Sequence, residues 1–193
     1  MAKNFDAICP MIFQERKAQH LASNLPIAGQ TAQMTHIDNK LHDTLWANPD
    51  PDLYSAHFIY TYGGFYNEPH CDLDANTWTN AIWFPCTKMG KQGCKLASIE
   101  SDGFKQEGYG FAMLDWGIVI DLANISGVVE VVFRGKQDIH CTTTGTIAEG
   151  FERMACTSQV NKDLEGICTG IWKRKGTTLM DYVEREKQRH ANK

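Results

Sequence analysis

The sequence predicts an α+β fold that is mainly β: a sandwich or barrel of short strands, supported by helices on its N-terminal side and followed by one C-terminal helix. Three observations predict it. Between Ser55 and Val160, β-branched and aromatic runs recur with turn residues between them. Before Asn48 the apolar residues follow helical spacing instead. The last stretch is charged, with apolar residues again at helical intervals. Many short strands joined by tight turns close most readily into two packed layers.

The elements follow in order. Met11 to Leu25 reads as a helix with Phe13, Ala18, Leu21, Ala22 and Leu25 on its apolar side, stopped by Pro26. Thr35 to Trp46 reads as a second, with Ile37, Leu41, Leu45 and Trp46 at helical spacing and Asp38 in its first turn, where an acid opposes the dipole. Asn48-Pro49-Asp50-Pro51-Asp52 ends it. Strands are expected at Ser55–Tyr62, broken by Gly63-Gly64, and at Trp78–Phe84, closed by Pro85. Thr87 to Gly108 reads as a hairpin and loop. Tyr109–Leu114 and Ile118–Leu122 flank a turn at Asp115-Trp116-Gly117. Val128–Phe133 turns at Arg134-Gly135-Lys136 into Asp138–Thr143, and Met154–Val160 follows with Arg153 at its beginning. Thr178 to Arg189 reads as the final helix. The expected organisation is one domain over 1–193: helical support over 1–53, a β core over 54–172 and a basic helix or tail over 173–193.

Composition bounds the class. A chain of 193 residues buries a core without cross-links, and 42% hydrophobic with 22% charged residues is the balance of a folded domain. Seven cysteines, an odd number with no CxxC pair, argue against a disulfide framework or a zinc site. With no apolar signal core in Met1–Asp6, the expected setting is intracellular, nuclear or cytoplasmic. The longest apolar stretch, Ile118 to Phe133, is interrupted by Asp121, Asn124 and Glu130, so no membrane span is expected. Charge is uneven. Residues 173–193 hold seven Lys/Arg against three Asp/Glu, and the remainder twelve against twenty, giving +4 and −8 for the total of −4. Lys173-Arg174-Lys175 suits phosphates, although a solvated helix carries the same charges.

The chemistry-bearing pattern is His70-Cys71-Asp72, with His140 and Arg153 downstream. Two histidines and one carboxylate cover one face of an iron(II) ion and leave positions open for oxygen and a bidentate organic acid. An arginine one strand later can hold the far carboxylate of that acid through a forked, charge-assisted hydrogen bond. An HxD pair alone says little, since about one is expected by chance in a chain of this size. A second copy, His36-Ile37-Asp38, sits on the expected helix, where its two side chains diverge. His70 and Asp72 lie in an extended segment, where residues i and i+2 project to one side. The same alternation turns Cys71 and Cys141 away from the metal and into packing. The ordinary alternatives are a strand-end histidine with a turn aspartate, and a surface arginine.

The order HxD, distal histidine, then arginine on the next strand resembles the double-stranded β-helix oxygenases. Gly108-Tyr109-Gly110-Phe111 to Asp121, a Gly-Val-Val strand, His140, and Arg153 with Ser158-Gln159 are similar to the compact TET/JBP-like branch. Tyr62-Gly63-Gly64 through His70-Cys71-Asp72-Leu73-Asp74 resembles the AlkB pattern more distantly, departing from it in having one plausible downstream arginine. The resemblance covers about Tyr54 to Asn161. It implies a jelly-roll core and Fe(II), 2-oxoglutarate and O2 as cofactor and cosubstrates. It further implies that His70, Asp72 and His140 are the catalytic metal ligands, and that Arg153 and Tyr62 bind the cosubstrate. The implied reaction is hydroxylation of a C–H bond.

Substrate choice is less constrained. The leading expectation is a modified base such as 5-methylcytosine in DNA, flipped into a pocket lined by Asn80, Trp78 and Trp83. Trp83 and Phe84 alternate on one strand, so at least one of them serves the core. Hydroxylation of an amino acid, peptide or small metabolite, and a cupin-like metal-binding module without turnover, are the other readings compatible with the chain.

Overall fold

A computed structural model of the chain describes residues 2–22, 54–55, 57–88, 90, 93–163, 165–166, 169–170 and 188. It divides into two compact units: Met1–Phe58 with Asp74–Asn76 and Gln159–Lys193, and Ile59–Leu73 with Thr77–Ser158.

In the first unit, α1 (Ala2–Ile8) and α2 (Pro10–Ala22) are separated by Cys9 alone. Pro10 suits the first position of α2, where its missing N–H costs nothing and its fixed φ starts the helix. Phe5, Phe13 and Tyr54 form an aromatic triangle with ring centroids 5.3–5.5 Å apart. The Arg16 guanidinium lies over Phe5 and Tyr54, at 5.7 and 5.4 Å from the ring centroids. Among the described residues the buried side of α2 is Phe13, as expected, with Arg16 and His20, while Ala18 and Ala22 are exposed. Hydropathy spacing misreads this face because its cation is covered by aromatic rings. The helices expected at Thr35–Trp46 and Thr178–Arg189, the second HxD copy included, lie outside the described residues apart from Gln188.

The second unit is mainly β. A four-stranded sheet runs in the order β1 (His57–Thr61), β9 (Phe151–Gln159), β2 (Thr79–Thr87), β6 (Val129–Phe133). A three-stranded sheet runs β5 (Ile118–Ile120), β4 (Phe111–Met113), β7 (His140–Thr142). β3 (Gln106–Gly108) pairs with β8 (Gly145–Ile147). Ala81, Trp83 and Phe133 from the larger sheet meet Phe111 from the smaller one, with Leu122 beside them, and these five form the buried core. Alternation then places Asn80 and Ile82 on the opposite face of β2.

Two local outcomes differ from expectation. β2 does not end at Phe84; it runs through Pro85, which pairs with Arg153. The reason is visible in the register. The pairing of β2 with β6 stops at Trp83↔Val129, so at Pro85 that side of the strand needs no ladder N–H. The Pro85 carbonyl still accepts from Ala97 N at 3.0 Å. The Thr87–Gly108 connection also holds a short helix, α3 (Ile99–Asp102), capped by the Ser98 hydroxyl, as well as strand β3. The turn at Asp115-Trp116-Gly117 forms as expected, as a 3₁₀ turn closed by Gly117 at φ 61°. Among the described residues, no helix is long and apolar enough to cross a membrane.

Candidate metal centre

The approach to the site is set by backbone pairing. His70 and His140 form an isolated antiparallel bridge, each donating its N–H to the other's carbonyl, at 3.0 and 2.9 Å. Asn67 extends that pairing. Its N–H donates to the Thr142 carbonyl at 3.2 Å, and its Oδ1 accepts from Thr142 N at 2.6 Å. The two imidazoles thus leave adjacent backbones together, with ring centroids 4.6 Å apart.

Each imidazole is oriented by a backbone carbonyl. His140 Nδ1 lies 2.9 Å from the Asp138 carbonyl, and His70 Nδ1 lies 2.8 Å from the Glu68 carbonyl. A carbonyl only accepts, so each Nδ1 carries the proton and each Nε2 keeps its lone pair. Both Nε2 atoms face Asp72 Oδ1, at 3.7 Å from His70 and 3.5 Å from His140. Asp72 Oδ2 is held separately by the Thr79 hydroxyl at 3.0 Å. Asp72 N donates to the Gly135 carbonyl at 2.8 Å, and a Cβ on Gly135 would overlap both Asp72 Oδ2 and Thr79 Oγ1. Glycine at 135 is what lets the carboxylate reach its place.

His70, Asp72 and His140 are the group of potential metal ligands that comes together among the described residues, with ligand atoms within 4.8 Å of one another. Burial opposes charge on Asp72, but hydrogen bonds from His140 and Thr79 outweigh it and hold the carboxyl below its ordinary range. Burial likewise opposes charge on His140, and the hydrogen bonds to Asp72 and the Asp138 carbonyl reverse the balance and raise it. Cys71 and Cys141 stay out of the group, as expected: Cys71 Sγ lies 3.7 Å from the Gln137 carbonyl and Cys141 is buried.

A narrow cleft of about 20 Å³ is lined by Thr61, Gly63, Phe65, Trp83, Tyr109, Thr142, Arg153 and Ala155. Thr142 sits two residues beyond His140 on β7, so the two share a face. Arg153 is 6% exposed, which removes the surface-charge reading. Its Nε donates to Gln106 Oε1 and its Nη2 to the Leu122 carbonyl at 2.6 Å, while Nη1 is buried without a partner. Desolvation lowers its pKa to about 10, leaving it cationic at neutral pH. A buried guanidinium nitrogen without an acceptor, on an arginine that lines the cleft, fits a carboxylate ligand.

The expected cofactor and substrate residues divide. Trp83 lines the cleft, but it is 5% exposed and also belongs to the core. Asn80 is fully buried on the other face of β2, where its Nδ2 donates to Glu130 at 2.9 Å. Trp78 is half-buried just before β2 and outside the lining. Tyr62 is 68% exposed and outside the lining, while its neighbours Thr61 and Gly63 are part of it. The tyrosine that the cleft does present is Tyr109, the one non-glycine residue with positive φ (52°) among those described. A bulky residue in that region is strained and persists only where its surroundings hold it. Gly64 makes room for it, since a Cβ there would stand 2.8 Å from the Tyr109 hydroxyl. The Gly108-Tyr109-Gly110 sequence was the available signal for this turn.

Comparison with known families decides the class. The chain matches the Tet-like 2OG-Fe(II) oxygenase superfamily over residues 1–145. It belongs to that family. No curated protein matches it. For a Tet-like 2OG-Fe(II) oxygenase, Fe(II), 2-oxoglutarate and O2 are the implied partners of the site, and the donor set fits the metal: two imidazole nitrogens and one carboxylate oxygen. The matched region includes all three of these residues and ends before Arg153.

Proposed function

We propose that this Tet-like oxygenase is an Fe(II)- and 2-oxoglutarate-dependent dioxygenase built on a double-stranded β-helix. Its proposed reaction hydroxylates a C–H bond of a modified nucleobase, with 5-methylcytosine in DNA as the leading substrate. The observation that carries the reading is the His70–Asp72–His140 group, whose Nδ1 protons are committed to backbone carbonyls and whose Nε2 and Oδ1 atoms converge.

His70 Nε2, His140 Nε2 and Asp72 Oδ1 would hold the iron. When bound, the iron supplies oxygen activation and C–H hydroxylation, coupled to conversion of 2-oxoglutarate to succinate and CO2. The chain's own residues do the rest. The Glu68 and Asp138 carbonyls fix the imidazole tautomers and ring planes, and Thr79 fixes the carboxylate. Arg153 offers its vacant Nη1 to the distal carboxylate of the cosubstrate, and Tyr109 and Thr142 bring hydroxyls to the same cleft. Tyr62, between the lining residues Thr61 and Gly63, is the further candidate for a cosubstrate hydrogen bond. Trp83 closes the floor against the core and keeps water from that side.

Two observations support a base as substrate: the Tet-like character of the family, and Phe65, which lines the cleft and is 42% exposed. An exposed ring at a cleft mouth gives a stacking face to a base extruded from a duplex. The test is incubation of the Fe(II)-loaded protein with 2-oxoglutarate, O2 and a duplex bearing 5-methylcytosine, followed by mass analysis of the nucleosides. Hydroxymethylcytosine accompanied by DNA-stimulated succinate is the expected result. Succinate formed at the same rate without DNA, with the base unchanged, would reject the base and direct the search to an amino acid, peptide or small metabolite.

A further inference from the structure

Arg153 is held in an unusual way for a buried cation: neither of the acceptors hydrogen-bonded to it carries charge. Gln106 Oε1 takes the Nε proton and the Leu122 carbonyl takes one from Nη2. The Phe104 ring lies against the guanidinium, 5.3 Å from Cζ to centroid. Together these occupy one edge of the fork and leave Nη1 buried without a partner, on an arginine that lines the cleft.

Gln106 is itself fixed. It is 7% exposed, and its Nε2 donates to the Gly108 carbonyl at 2.8 Å. That donation decides which end of the amide faces Arg153. With the nitrogen committed to Gly108, the oxygen must point at Nε. The backbone beneath is tied down by pairing with β8, Gln106↔Ile147 through Gly108↔Gly145.

Charge accounts for the choice of an amide. A carboxylate at 106 would make a stronger, bidentate partner for the guanidinium and cancel its charge inside the cleft. An arginine already neutralised holds a second carboxylate poorly. Asp121 contributes to the field at Arg153 from a distance, but no hydrogen bond joins them among the described residues.

We infer that Gln106 is a positioning and specificity-determining residue, a neutral clamp that orients Arg153 while leaving its charge unspent for the distal carboxylate of a dicarboxylate cosubstrate. This rests on the proposed role of Arg153 as the carboxylate anchor.

The test measures 2-oxoglutarate binding to the Co(II)-loaded protein by calorimetry, with Co(II) affinity measured separately, for wild type, Arg153→Gln, Gln106→Glu and Gln106→Met. Gln106→Glu keeps the size and the acceptor, yet is expected to weaken 2-oxoglutarate binding by about 30-fold or more, because the added carboxylate neutralises Arg153 and repels the incoming one. Gln106→Met removes the acceptor without adding charge, and is expected to weaken binding by about 10-fold, the lower end of the worth of one hydrogen bond to a charged group. Co(II) affinity should stay unchanged in both, a pattern that general unfolding would not produce. In turnover, the losses should appear in KM for 2-oxoglutarate and spare kcat. Wild-type binding that is lost in Arg153→Gln but retained at full strength in both Gln106 variants would overturn this inference alone. Absence of binding by wild type, or equal binding by Arg153→Gln, would overturn the anchoring role beneath it.

Discussion

His70 and His140 exchange both of their backbone hydrogen bonds, so two residues 70 positions apart are locked side by side before any metal is considered. The pairing fixes which faces their imidazoles share, and the carbonyls of Glu68 and Asp138 fix the tautomers. The centre is thus organised by main chain on both sides, and its affinity for metal should respond to residues that never touch the ion.

Asn67 is the first such residue. It carries the pairing on to Thr142 through both its main chain and its side chain. Asn67→Ala removes the side-chain bond and should lower metal affinity by about 10-fold, at the lower end of what outer partners of metal ligands contribute. Co(II) titration followed by its absorption bands measures this directly, and unchanged affinity would show that the bridge needs no such support.

Gly135 is a steric requirement. A methyl group there would overlap the Asp72 carboxylate and the Thr79 hydroxyl. Gly135→Ala should displace Asp72 and lower metal affinity by about 100-fold, comparable with disrupting a ligand's supporting hydrogen bond. Gly166→Ala meets open space and serves as the control with normal affinity.

Arg153→Lys keeps the charge and loses the fork. The lysine cannot satisfy Gln106, the Leu122 carbonyl and a carboxylate in the same plane. KM for 2-oxoglutarate should rise by about 10-fold or more, and kcat at saturation should fall much less, since the lost contact is made in the ground state as well. Steady-state succinate assays separate the two parameters.

Cys86 reports on the sheet that carries the site. It is fully buried, and burial, followed by the neighbouring Cys94 thiol, pushes its pKa up to about 12. The folded protein therefore holds this proton more tightly than the unfolded chain. The resulting stability is present below the ordinary thiol pKa and is lost as pH rises from there toward about 12. Thermal midpoints should fall over that alkaline window, and less so in Cys86→Ala. In the native protein at about pH 8, alkylation should spare Cys86, because the thiolate is the reactive form.

Most strand segments and the metal group were legible in the sequence because both depend on local rules. Period-two alternation put His70 and Asp72 on one side, and glycine turns separated the strands that carry His140 and Arg153. What joins distant segments was not legible. Gly145–Ile147 is too short to announce itself as a strand, yet its pairing with Gln106–Gly108 sets the residue that orients Arg153. Pro85 reads as a strand end unless one knows that β6 has already stopped beside it. Asn80 reads as a pocket residue, but alternation turned it toward Glu130. Tyr62 and Tyr109 both stand beside glycines, and only the backbone at φ 52° reveals which one enters the cleft.

The central claim is that His70, Asp72 and His140 form an iron centre that consumes 2-oxoglutarate. The measurement that tests it most directly is succinate formation from 2-oxoglutarate, after O2 is admitted to protein loaded anaerobically with Fe(II), in wild type and in Asp72→Ala. The account predicts iron-dependent succinate from wild type and none above background from Asp72→Ala, with both proteins folded by circular dichroism. Equal succinate from the two would contradict it.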